Sequence, residues 1–450
     1  MPMTRTTVAL SAAVTALLGA QAQAQTWSLA TAAAPYKGTT VSAIFLDRPG
    51  YKAAAQLIPQ FEKETGIKIK FEVVPYESTN QRYVLDFTSG GGADLVLSDV
   101  VWIGQFADAG WMVPLDKFTK DPKLADPALN LKGFFPVLLN SFGTWNGKVY
   151  GLPFDNYSGL MYYNKCTLKA AGFSGPPKTW DELLKVYGPK LTGNGKYAFA
   201  LQSRRGETQS ADSFMRTLWL AGGSLIDAKT FQPNLSSAAS QKGLKFRQDL
   251  MKYMPPGVVD QDHNEVVNAF NQGTVPMITE WSAFYPTITD PKQSKIGPGC
   301  LGVTTEPLGS AGLKPALGGF SLGVNSNSDA KKQAAAYLFI QWITSEKNAK
   351  AYVQAGGVSG RQAVYKDPAI RSKYLYVDPM VKSWSAGTAV PNFRPRFAEW
   401  PQISQIVAEN GTKIMLGQLS TAVGAKVIDD QVKAILEKAG YYSGKKAKLQ

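Results

Sequence analysis

The stretch FEKETGIKIKFEVVPY, Phe61 to Tyr76, changes its hydrophobic period from 3.6 to 2 across a single glycine, so a helix ends there and leads straight into a strand. Upstream, Ala54, Leu57, Ile58 and Phe61 fall at i, i+3, i+4 and i+7 and make one apolar helical face, with Gly66 where a left-handed C-cap is wanted. Downstream, Ile67, Ile69, Phe71 and Val73 alternate with Lys68, Lys70 and Glu72, which predicts a strand with one wet face. Before the helix, TTVSAIFLDRPG is a β-branched and apolar run stopped by Pro49-Gly50, a buried strand ending near Asp47. A second helical segment, Thr79 to Phe87, leads through Gly90-Gly91-Gly92 into a third strand, ADLVLSD. The predicted order is β-α-β-α-β.

Such an order favours a parallel sheet with right-handed crossovers, and in open parallel sheets ligands bind beyond the carboxyl ends of the strands. Those ends carry Asp47-Arg48, Pro75-Tyr76-Glu77 and Ser98-Asp99, the last running on into Val100, Val101 and Trp102. The glycine triplet precedes a strand instead of following one, so it reads as a tight turn; no G-x-G-x-x-G or P-loop pattern occurs. Further along, KVYGLPFDNYSGLMYYNK reads as a turn and strand pair, with Gly151 and Pro153 where the chain leaves the first lobe. PPKTWDELLKVY opens a helix with a capping box at Thr179 and Glu182. KYAFALQSRRGE is a strand ending at Arg204-Arg205, and Trp281 stands just past the strand in NQGTVPMITEW. Two more strands, GCLGVTTEPLG and ALGGFSLGVNSNS, precede two helices broken at Thr344-Ser345.

Composition narrows the function. With 450 residues, 44% hydrophobic, the chain can bury a large core. Arg5, the apolar run Val8 to Leu18 and the small-x-small sites ending at Ala22 and Ala24 form an export leader over residues 1–24, so the mature protein is expected in the periplasm. The single histidine, His263, nearly excludes a His-rich metal site and reads as a solvated helix-start residue. An oxidising compartment permits Cys166 and Cys300 to pair, but their spacing does not say whether they meet. The formal charge of +14 is spread along the chain, dense only in the C-terminal GKKAKLQ, which argues against a nucleic-acid partner. Neither a metal nor a cofactor is expected.

The pieces FEKETGIKIKFEVV, GKVYGLPFDNYSGLMYYNK, PKTWDELL, FNQGTVPMITEW, GGFSLGVNSNSDAKKQAAAYLFIQWITSEKNAKAY and RPRFAEWPQISQI occur in that order. Together they resemble the family 1 extracellular solute-binding proteins of ATP-driven (ABC) importers, the maltose-binding-protein-like group, over about residues 36–440. The resemblance implies an α/β, periplasmic-binding-protein-like fold, in which two lobes joined by three crossings trap a ligand by hinge closure. The expected first lobe is 36–156 plus 305–342 and the second 157–304 plus 343–450. The crossings are expected near Asp155 to Ser158, Thr304 to Pro307 and Trp342 to Ser345. It also implies a monomer, a membrane permease as partner and no catalysis. By position, the expected ligand-binding residues are Asp47, Arg48, Asp99, Val100 and Trp102, then Asp155, Asn156 and Tyr157 at the first crossing. Arg204, Arg205, Trp281, Gly319, Phe320, Trp384 and Arg394 complete the set. Val101-Trp102 departs from the charged pair that maltodextrin binders carry there, which turns the expectation toward monosaccharides, disaccharides or sugar alcohols.

The residue types agree with a carbohydrate. A sugar offers hydroxyls around its edge and an apolar C–H face, so carboxylates, amides and guanidiniums such as Asp99, Asp155, Asn156 and Arg204 suit the first, and Trp281 and Trp102 the second. Covering a third of a tryptophan's ~250 Å² with a sugar face gives about 2 kcal/mol, against roughly 8 kcal/mol for micromolar binding. Hydrogen bonds in a closed cleft must supply much of the rest. The alternatives are an anionic solute such as a uronate or glycerol phosphate, clamped by Arg204, Arg205, Arg394 and Arg396, and a glycoside hydrolase using Asp99 and Asp155.

Overall fold

The computed structural model describes residues 27–206, 208–385 and 394–443; the expected leader and the basic C-terminal cluster lie outside them. The described residues form nine strands: β1 Thr40–Phe45, β2 Lys68–Val73, β3 Leu95–Asp99, β4 Thr144–Trp145, β5 Lys148–Val149, β6 Gly151–Asn164, β7 Met277–Trp281, β8 Leu301–Thr305 and β9 Leu317–Val324. β1 lies between β2 and β3, all parallel, linked by the helices Pro49–Thr65 and Tyr76–Thr88. Gly66 adopts φ +71° and closes the first helix with a bond to the Glu62 carbonyl, while Ala54, Leu57, Ile58 and Phe61 are buried. β2 is an edge strand, and its apolar face runs out: Ile69 is buried, but Phe71 and Val73 are 41% and 56% exposed.

The sheet is mixed beyond β3. β6 pairs antiparallel with β7, β8 and β9, and β9 enters antiparallel between β3 and β6. β6 is one long strand where a strand pair was expected. Gly151–Pro153 and Asn156–Ser158 pair with β9, then Gly159–Tyr163 with β7 and Leu160–Asn164 with β8. Gly151 and Pro153 therefore still belong to the first half of the sheet, and the chain leaves it only after Ser158. At the register shift between Pro153 and Asn156, Gly319 adopts φ +119°, and a Cβ there would fall on the Asp155 carbonyl. Only glycine tolerates both conditions.

Two further expectations change. Residues 196–205 form no strand: the amides of Ala198 and Phe199 turn to the Tyr253 carbonyl, leaving only isolated bridges from Lys196 to Gly193 and from Ala200 to Ile278. The third crossing also lies later than Trp342 to Ser345. The helix Glu346–Gln354 packs on Pro49–Thr65, and fully buried Arg361 donates to the carbonyls of Thr344 (2.6 Å) and Asn130 (2.5 Å). Residues 346–361 thus sit with the first half of the sheet, and it is the helix Val377–Ser385 that reaches β6 and β8.

Cys166 and Cys300 are bonded, joining the start of the helix Lys165–Ala170 to the residue before β8 across 134 positions. Closing so long a loop restricts the unfolded chain. The double variant Cys166→Ser/Cys300→Ser should lose about 2–4 kcal/mol of unfolding free energy while keeping the fold, measured by denaturant titration. Stability equal to the parent's would show that the bridge contributes nothing.

Candidate functional site

Three strand ends and one glycine-rich strand build the first wall of a cavity between the two halves of the molecule. Arg48 follows β1, Tyr76 opens the helix after β2, Asp99 ends β3, and Gly319 and Phe320 come from β9. The Arg48 guanidinium lies 5.3 Å from the Tyr76 ring centre and 6.0 Å from that of Phe320, a cation held against two aromatic faces. The Tyr76 hydroxyl donates to Asp99 at 2.8 Å; burial first, and then the Asp99 charge, push its pKa well up, so it stays a donor. Trp102 does not reach the cavity. It stacks behind Tyr76 at 5.4 Å and fixes that ring.

The opposite wall carries Gln202, Asp212, His263 and Trp281, with Tyr157 of β6 between the walls. The Trp281 ring has the Arg216 guanidinium 4.7 Å from its centre, and Arg216 in turn pairs with buried Glu306 on the connection after β8. A side chain at Gly318 would strike the indole. His263 is not the solvated residue expected: it is buried at the start of the helix His263–Asn271, with Nδ1 2.9 Å from both Glu280 carboxylate oxygens and the ring stacked on Phe284. Arg394 spans the walls, 3.3 Å from Asp99 on one side and 3.6 Å from Asp212 on the other. The space left is about 30 Å³, room for a water or two and far short of the ~300–1,000 Å³ of a typical ligand site. A solute enters only when the walls part.

Of the residues expected at the site, Arg48, Asp99, Tyr157, Trp281, Gly319, Phe320 and Arg394 line this cavity. The others do not. Asp47 is exposed and paired with Lys52, and Val100 is core. Asn156 is buried and donates to the Phe320 carbonyl. Arg204 pairs with Asp262 and Glu265, and Arg205 with Asp260, and neither arginine lines the cavity. Trp384 is buried against Phe135 and Tyr365. Asp155 lies beneath the cavity, fully buried, accepting from the Tyr157 hydroxyl and from the Val358 amide at 3.1 Å. The expected ligand-binding set missed Gln202, Asp212 and His263, and left out Tyr76 although it was placed at a strand end. Gln202 stands two residues before the arginine that was chosen, whereas Asp212 sits within a helix and carries no local signal.

Residues 47–350 match the family described as bacterial extracellular solute-binding protein. The chain belongs to that family. A probable amino-acid ABC transporter periplasmic-binding protein of Sinorhizobium fredii is 29% identical over 336 residues, 74% of this binding protein and 75% of the relative. The mannitol-binding protein of Pseudomonas aeruginosa is 25% identical over 327 residues, 71% and 72% of the two chains. A solute-binding protein of Agrobacterium radiobacter, solved in complex with ribitol, is 27% identical with a TM-score of 0.81, covering 89% of this chain and 99% of that one. The binding protein has the two-part α/β fold of these structures. Among its described residues, no helix is long and apolar enough to cross a membrane, and no cluster of three His, Cys, Asp or Glu side chains fits a metal ion.

Burial raises the Asp155 carboxyl to about 6, although the Tyr157 hydroxyl and the Val358 amide pull it down. The folded protein therefore keeps this proton to higher pH than the unfolded chain, and stability falls as pH rises from about 4 to about 6, then levels. Asp155→Asn should remove that component and gain up to about 3 kcal/mol on the parent across the window, read from unfolding curves at pH 4, 5, 6 and 7. A pH-independent difference between the two proteins would contradict this.

Proposed function

We propose that the binding protein takes a small neutral polyhydroxylated solute, a sugar alcohol or a mono- or disaccharide, between its two closing lobes. It then delivers the solute to the membrane permease of an ABC importer. The charge balance of the cavity carries this reading: Arg48 and Arg394 face Asp99 and Asp212, and Trp281, Tyr76 and Phe320 offer aromatic surface beside them. Two cations against two anions leave no net field for an ion, while paired guanidiniums and carboxylates suit hydroxyls that both donate and accept. The mannitol-binding relative and the ribitol complex support the same class. An anionic solute has less support, because Arg204 and Arg205 are neutralised by acids and Arg396 is turned to the Thr144 carbonyl. So has hydrolysis, because Asp155 is sealed beneath Tyr157 and cannot act as the second carboxylate. The exported mature protein, its leader 1–24 removed, works as a periplasmic monomer.

The test is a thermal-shift screen of the chain from Gln25 against ribitol, mannitol, neutral mono- and disaccharides, uronates, glycerol phosphate and amino acids. A ligand at a hundredfold excess over its Kd stabilises by ~2.7 kcal/mol. Neutral polyhydroxylated compounds should give the shifts; a response confined to anions or amino acids would overturn the reading. With the ligand found, Trp281→Ala should weaken its binding at least tenfold by calorimetry without loss of fold, and unchanged affinity would remove Trp281 from the site.

A further inference from the structure

A second cavity of about 280 Å³, far larger than the space between the walls, shares no lining residue with the first. Its walls are apolar: Leu220 and Ala221 at the end of the helix Thr208–Leu220, Phe246 of the helix Ala238–Leu250, and Leu308, which is 45% exposed. Trp180 forms one side, edge-on to Phe199 and Phe246 at 5.5 Å. The polar inventory is short and specific. The Thr179 hydroxyl caps its own helix, the Thr217 hydroxyl donates to the Phe214 carbonyl, and Asp181 pairs with Lys185. The Ser310 hydroxyl and the exposed Lys242 also line the cavity, and Lys242 has no acidic partner among the described residues; the Trp180 indole N–H is buried with no hydrogen-bond partner.

We propose that this cavity is a second ligand site, taking a small apolar molecule with one carboxylate, of the arylalkanoate kind. The apolar body fills the space between Leu220, Phe246 and Leu308, its ring against Trp180; the carboxylate faces the Lys242 ammonium and accepts from the Ser310 hydroxyl at the cavity wall. The volume sets the size, close to the lower limit of ordinary small-molecule pockets. The backbone frames the opening: the Leu308 amide donates to the Lys178 carbonyl at 3.0 Å, and the Trp180 amide to the Leu308 carbonyl at 3.1 Å.

Calorimetric titration of the mature chain with 3-phenylpropanoate and with 3-phenylpropan-1-ol tests the site. The expected result is saturable one-to-one binding, at least fivefold tighter for the acid. Lys242→Gln, an exposed change that leaves the fold alone, should abolish the preference for the acid. Ala221→Trp should fill the cavity and remove binding of both, and Trp281→Ala, in the other cavity, should change neither. No saturable binding by the parent, an acid preference that survives Lys242→Gln, or binding lost in Trp281→Ala would each overturn the proposal.

Discussion

One fourteen-residue strand pairs with both halves of the sheet, and the rest of the structure depends on that pairing. β6 satisfies its backbone against β9 on one side of the crossing and against β7 and β8 on the other. Buried backbone groups must be paired, so the crossing is confined to the few residues around the register shift, where Gly319 approaches closely enough to exclude any side chain of its own. This confinement places Asp155 and Tyr157. Asp155 points into a dry interior and takes its hydrogen bonds from Tyr157 and from Val358, a residue distant in sequence. Tyr157 then stands between the two walls of the cavity.

The walls meet through charge. Arg394 lies between Asp99, at the end of a first-half strand, and Asp212, on a second-half helix. Burying such groups is unfavourable unless each is compensated, so neither carboxylate favours a dry cleft without the guanidinium. Opening the walls returns all three to water. Glu306 and Arg216 act in the same sense on the aromatic side: the pair links the connection after β8 to the indole of Trp281. A change at that connection is therefore felt at the surface a solute would touch. In the structure the walls stand in the paired arrangement, with Arg394 between the two carboxylates.

Local rules made part of this site legible in advance. Arg48 and Asp99 follow from the principle that ligands gather at the carboxyl ends of parallel strands, which needs only the periodicity of β1 and β3. Trp281 follows from an aromatic set just past an apolar strand. The same rule overreached at Asp47 and Val100, because adjacent residues at a strand end point in different directions: Arg48 turns onto Tyr76 while Asp47 turns to water and Lys52. Arg204 and Arg205 looked like a clamp because their acids, Asp260, Asp262 and Glu265, lie some 55 to 61 residues away and are brought beside them only by the fold.

The amino-acid sequence by itself determined the first elements and their order: the helix that stops at Gly66, and the β-α-β-α-β succession that favours parallel pairing of β1, β2 and β3. These depend on interactions within a turn or two of chain, which spacing encodes directly. Tertiary structure alone decided that Cys166 meets Cys300, that Trp384 packs into the core and that His263 is buried on Glu280. It also decided that Asp212 completes the cavity and that the third crossing waits until after Arg361. Each of these depends on which distant group satisfies a charge, a donor or an apolar face, and that choice exists only once the chain has closed on itself.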